Sequence, residues 1–123
     1  MAGQNKRQTG SAYERLAAEY LKEKGCLILK MNYRNRFGEI DLIGKDGDDL
    51  VFFEVKERKT GQSGSAAEAV TLSKQKKICA VSDTYRFLEN VSYDTQIRYD
   101  VIAIDGNKIN WIKNAFDYVG KGF

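Results

Sequence analysis

A mixed α/β fold, one central sheet packed by helices in the order α-β-β-β-α-β-β, is predicted by three features of the sequence. Two stretches carry apolar residues at helical spacing, a strand-turn-strand pattern lies between them, and a strand pair follows the second helix. One helix therefore separates the third strand from the fourth, which points to a mixed sheet.

The first helix is expected from about Ser11 to Lys24, because Tyr13, Leu16, Ala17, Tyr20 and Leu21 fall on one stripe. Thr9 and Ser11 are candidate caps, and Gly25 is a candidate stop. Cys26 to Lys30 reads as a short strand leading into a basic loop at residues 32–36. Glu39 to Ile43 and Leu50 to Glu57 read as a hairpin, with Asp46-Gly47 as its turn signal. Residues 60–65 are small and polar enough for a mobile loop. The second helix is expected from Thr71 to Glu89, with Ile78, Val81, Ser82, Tyr85 and Leu88 inward. Strands Ile97 to Ile104 and Lys108 to Ile112 follow, joined by Asp105-Gly106-Asn107.

A chain of 123 residues is one domain long. Residues 1–10 read as a flexible polar lead-in, 11–118 as the domain and 119–123 as a tail. With 42% apolar and 30% charged residues the composition is globular. No apolar run approaches the roughly 20 residues that span a bilayer, and the basic start lacks the apolar stretch of a signal peptide. A cytoplasmic location is the default that follows.

The sequence holds no histidine, which removes Ser-His-Asp and Cys-His pairs, histidine general bases and histidine zinc sites. Catalysis is left to carboxylates, lysine, tyrosine or a bound metal. Cys26 and Cys79 stand far apart among apolar neighbours and read as buried thiols.

Charge is unevenly spread. Residues 1–36 carry eight Lys/Arg against three Glu (+5), residues 37–54 one Lys against six Asp/Glu (−5), and residues 55–77 six Lys/Arg against two Glu (+4). An acidic centre between two basic stretches suits carboxylates that hold a cation and cations that hold phosphates; a solvated surface of alternating sign gives the same pattern.

On Val51-Phe-Phe-Glu-Val-Lys56, alternation puts Glu54 and Lys56 on one face. Asp41 in the hairpin partner can meet Glu54 across the ladder. Two carboxylates can ligate Mg²⁺, which prefers oxygen donors and keeps waters, with the Val55 carbonyl as a further donor. Lys56 would orient or help deprotonate a metal-bound water. The same residues fit a plain Glu54–Lys56 ion pair at a sheet edge. Arg34, Arg36, Arg58 and Lys59 are candidate phosphate contacts. Arg98 and Asp100 share a strand face and read as a structural ion pair. Trp111, Phe116, Tyr118 and Phe123 are most simply core or dimer contacts, with a platform for unstacked bases as the other use.

Gly38-Glu-Ile-Asp-Leu-Ile43 followed by Glu54-Val-Lys56 closely resembles the PD-(D/E)XK nuclease signature, with Ile40 in place of its Pro. Together with Asn32-Tyr-Arg34, Arg58, Arg98-Tyr-Asp-Val101 and Asn114-Ala-Phe116, the chain resembles the YraN family of small bacterial proteins from Gly10 to Phe116. That resemblance implies a restriction-endonuclease-like fold similar to archaeal Holliday junction resolvases. It implies a Mg²⁺- or Mn²⁺-dependent endonuclease acting on DNA, possible branched forms included, with RNA left open. The matching residues would be Asp41, Glu54 and Lys56, with Glu14 joining the metal site from the first helix. Glu14 lies at the margin of that helix's apolar stripe. Lys74 and Gln75 match positions where related nucleases face the site with Lys or Gln. A homodimer is implied for cutting two strands; no membrane and no small-molecule cofactor are expected. The alternative is a nucleic-acid-binding or protein-interaction module of the same fold with little or no catalysis.

Overall fold

A computed structural model describes residues 2–58 and 70–120, with side chains described from residue 12 onward. The element order is the expected one: α1 (Ala2–Glu23), β1 (Leu27–Asn35), β2 (Gly38–Asp46), β3 (Asp49–Glu57), α2 (Leu72–Leu88), β4 (Ile97–Asp105) and β5 (Lys108–Ile112). The strands form one sheet in the order β1-β2-β3-β4-β5. Neighbours are antiparallel except β3 and β4, which run parallel on either side of the α2 crossover. Lys59, the loop expected at 60–65 and Phe123 lie outside the described residues.

Two expectations shift. Helix α1 runs back to Ala2, through the stretch read as a lead-in. Ala, Gln, Lys and Arg in that stretch are good helix formers, so a helix nucleated by the buried stripe extends into them. Its other end is as expected: Gly25 turns left-handed (φ +95°), Cys26 N–H donates to the Leu21 carbonyl and Gly25 N–H to that of Lys22. This is the double hydrogen bond that satisfies the last carbonyls of a helix. Strand β1 likewise continues to Asn35 and takes in the predicted basic loop, pairing Tyr33 with Ile40 and Arg34 with Glu39. Its polarity reflects its place at the sheet edge, where most of its side chains are exposed.

Helix α2 is capped by Thr71, whose side chain accepts from Lys74 N–H (3.2 Å). Its buried residues are Ile78, Cys79, Val81, Ser82 and Tyr85; Leu88, expected inward, is exposed. They pack on one sheet face with Ile43, Phe52, Tyr99 and Val101, and Tyr99 stacks on Phe52 and Phe116. Ala17, Ala18 and Leu21 of α1 cover the other face with Leu42, Val51, Phe53 and Ile102. Both cysteines are buried free thiols.

Gly44 lets β1 approach β2. Register slips between Ile28 and Lys30, and a Cβ at Gly44 would lie 2.7 Å from the Leu27 carbonyl oxygen. Because backbone, not a flexible side chain, blocks the position, Gly44→Ala is expected to cost about 1–3 kcal/mol in urea unfolding. Unchanged stability would mean that β1 yields there without cost.

Arg98 and Asp100 form the expected structural pair, within a larger network. Asp100 is fully buried and receives Arg98 Nη2 (2.7 Å), Trp111 Nε1 (2.8 Å) and Asn114 N–H (2.8 Å). Arg98 Nη1 also reaches Asp46 (2.9 Å) and Asp49 (3.0 Å), tying β4 to the hairpin turn. Trp111 and Phe116 are thus packing residues, and Tyr118 donates to Asp83 (2.8 Å).

Candidate functional site

The hairpin ladder runs from Asp46–Asp49 to Leu42–Phe53. Beyond that point, Gly38, Glu39 and Ile40 pair with β1, and Glu54 to Glu57 pair with β4. The sheet therefore forks where Asp41 and Glu54 face each other. Across the fork, Val55 N–H donates to Asp41 Oδ2 at 2.7 Å, in place of a backbone carbonyl of β2. That bond fixes the carboxylate's orientation.

Electrostatics set this pair apart. Burial and then the neighbouring Asp41 charge push the Glu54 carboxyl up to about 7, its side chain being 13% exposed. Burial raises Asp41 as well, outweighing the Val55 N–H, which favours its charged form. The cation in ion-pair contact with Glu54 is Lys74, whose Nζ lies 3.6 Å from Oε1. Lys56 shares the face of Glu54 by strand alternation and acts on it as a weaker charge. The ion pair of Glu54 thus bridges β3 to the first turn of α2, where Thr71 caps the helix beside Lys74, in place of the alternative Glu54–Lys56 pair.

Glu14 arrives from α1. Burial and then the Asp41 charge push it up to about 7, while the nearby Asn32 side chain favours its ionised form. Its Oε2 is buried without a hydrogen-bond partner among the described residues. Glu14 interacts with Asp41, and Asp41 with Glu54, so the three carboxyls form a chain. Among the described residues, no three Asp, Glu or Cys side chains gather as a ready-made metal cage.

Basic residues stand on the flanking elements. Arg34 is exposed and pairs with Glu39 (2.9 Å), and Arg36 lies over the Phe37 ring. An open depression of about 290 Å³ is lined by Arg34, Asn35, Gly38 and Glu39. Lys77, which sequence reasoning passed over, stands against Gly38. Gln75, at the start of α2, donates its Nε2 hydrogen to the Val70 carbonyl (3.0 Å). Arg58 follows β3, its N–H bonded to the Ile104 carbonyl (2.7 Å).

Two other participants were missed from sequence. Glu39 adds negative charge beside both Glu14 and Asp41. Its i, i+2 spacing from Asp41 on one strand was the available signal. Asn32 had none beyond its place in the Asn32-Tyr-Arg34 motif.

Comparison with known proteins supplies the chain's relations. The model of the uncharacterised protein family UPF0102 matches residues 13–104. A UPF0102 protein of Enterobacter sp. (strain 638) is 44% identical over 113 residues, 91% of this chain and 86% of its own. One from Vibrio parahaemolyticus is 44% identical over 113 residues, covering 90% and 93%. The YraN protein of Salmonella newport is 42% identical over 113 residues, covering 91% and 86%. Matches of this identity along nearly the whole length leave one conclusion: the chain belongs to the UPF0102, or YraN, family.

Proposed function

We propose that this protein is a Mg²⁺- or Mn²⁺-dependent phosphodiesterase acting on DNA, with branched or structured DNA as its substrate, in a restriction-endonuclease-like fold related to that of archaeal Holliday junction resolvases. The observation that carries this reading is the Asp41–Glu54 pair: two mostly buried carboxyls held together at the fork, both raised in pKa. Like charges in a poorly solvated place are costly unless something compensates them.

The residues present fit a hard divalent ion. The donors are all oxygen, and Mg²⁺ takes one or two carboxylates and completes its shell with water. Glu14 offers a buried oxygen that no described group satisfies. Bound there, such an ion would stabilise charge on a phosphoryl oxygen and acidify a water.

The chain's own residues then divide the work. Asp41 and Glu54 hold the ion, Asp41 kept in place by Val55 N–H, and Glu14 supports them from α1. Lys56, on the same strand face as Glu54, orients the attacking water. Lys74, Lys77, Arg34 and Arg36 bind phosphates and position the nucleic acid without reading its sequence. Cutting two strands calls for a second copy, most simply a C2 dimer.

Lys74 lowers the Glu54 pKa, and Glu54 must be ionised to hold a cation. Lys74→Ala is therefore expected to move the acid limb of the pH–cleavage profile upward, on top of a pH-independent loss from the missing phosphate contact. An unmoved limb would show that Lys74 does not govern Glu54.

The proposal is tested with labelled single-stranded, duplex, flap and four-way-junction DNA in Mg²⁺, in Mn²⁺ and in EDTA. Metal-dependent cleavage is the expected result. Binding without cleavage of any substrate would replace the enzyme with a nucleic-acid-binding module of the same fold.

A further inference from the structure

Asn32 has a left-handed backbone (φ +54°) in the middle of β1. Among the described residues, the other non-glycine positions with positive φ are explained by where they sit: Asn90 follows the end of α2, and Asn114 lies in the turn after β5. Asn32 sits inside a ladder, between the pairs Met31–Leu42 and Tyr33–Ile40, which places it across from Asp41. Asparagine tolerates this conformation better than most residues, but an extended strand does not call for it. Such a conformation persists where the surroundings hold it, and it clusters at functional sites.

Its side chain supplies the reason. It lies close enough to the carboxyl of Glu14 to favour that group's ionised form, and Glu14 in turn interacts with Asp41 and has a buried oxygen without a hydrogen-bond partner among the described residues. We propose that Asn32 is a positioning residue: its left-handed turn carries the carboxamide out of the β1 pattern and onto Glu14, aiming that carboxylate at Asp41 and Glu54. This rests on the metal-dependent reading of the same site. Groups that orient metal ligands in this way typically account for about 10–100-fold in metal affinity.

Glycine adopts positive φ freely, so Asn32→Gly keeps the backbone turn and removes only the carboxamide. Mn²⁺ binding, read from the EPR signal of the free ion, is measured for wild type, Asn32→Gly, Glu14→Gln and the double variant, each checked for its thermal transition. Asn32→Gly is expected to bind Mn²⁺ at least about tenfold more weakly, and the same change should have no further effect in the Glu14→Gln background. Wild-type affinity in Asn32→Gly, or an equal loss in the Glu14→Gln background, would overturn the role of Asn32 and leave the metal site standing. No Mn²⁺ binding by the wild type would overturn the metal-dependent reading and this inference together.

Discussion

Glu54→Gln is expected to abolish DNA cleavage and, in mildly alkaline buffer without metal, to make the protein more stable than the wild type. In the unfolded chain Glu54 releases its proton near 4.5; in the fold it keeps it up to about 7. Between those values the folded state binds more protons, so stability falls as pH rises through the window and stays reduced above it. At 1.36 kcal/mol per unit, the reduction is on the order of 3 kcal/mol. Asp41, also raised, pushes in the same direction. A glutamine is neutral throughout and escapes the penalty, while it cannot serve as an anionic ligand. Urea unfolding from mildly acid to mildly alkaline pH checks this: the wild-type curve should decline through the window and that of Glu54→Gln should be flatter. Parallel curves would mean that Glu54 is solvated in the fold.

The second large effect is purely structural. Arg98→Ala is expected to destabilise the fold by about 3–5 kcal/mol, the usual result of leaving one partner of a buried pair uncompensated. Asp100 has no exposed surface and takes its ionic contact from Arg98, with the Trp111 and Asn114 N–H groups as neutral donors. The same substitution also takes Arg98 from Asp49 and from Asp46, which keeps Lys113 at 3.5 Å; both carboxylates are partly exposed and add about 1 kcal/mol or less each. Urea unfolding again gives the answer. A variant as stable as wild type but inactive would instead place Arg98 in the chemistry.

Much of this architecture was legible because local pattern and tertiary need agreed. Apolar spacing in α1 and α2 and alternation in β3 and β4 identify elements whose faces are then found buried. The hairpin register that sets Asp41 beside Glu54 follows from Asp46-Gly47 and the length of the two strands. What escaped depended on partners distant in sequence. The outer half of β1 is polar because it lies at an edge, so its residues carry no strand signature of their own. Glu54 pairs with Lys74, twenty residues on, and not with Lys56 two residues away; the α2 crossover decides that. Nor does strand alternation foresee that the ladder stops at Leu42–Phe53 and lets the Val55 N–H turn to a carboxylate. The left-handed backbone of Asn32 belongs to the same class, since only its neighbours require it.

The central proposal is that the electrostatic cost of Asp41 and Glu54 is offset by a divalent ion. The most direct test is urea unfolding of wild type and Glu54→Gln in mildly alkaline buffer, with Mn²⁺ and with EDTA. An ion that binds only the folded state stabilises it by mass action, about 2.7 kcal/mol at a hundred times its Kd. The expected result is a reversal: Glu54→Gln the more stable in EDTA, and a large gain on adding Mn²⁺ for the wild type alone. Equal responses of the two proteins to Mn²⁺, or none in either, would contradict the proposed metal site.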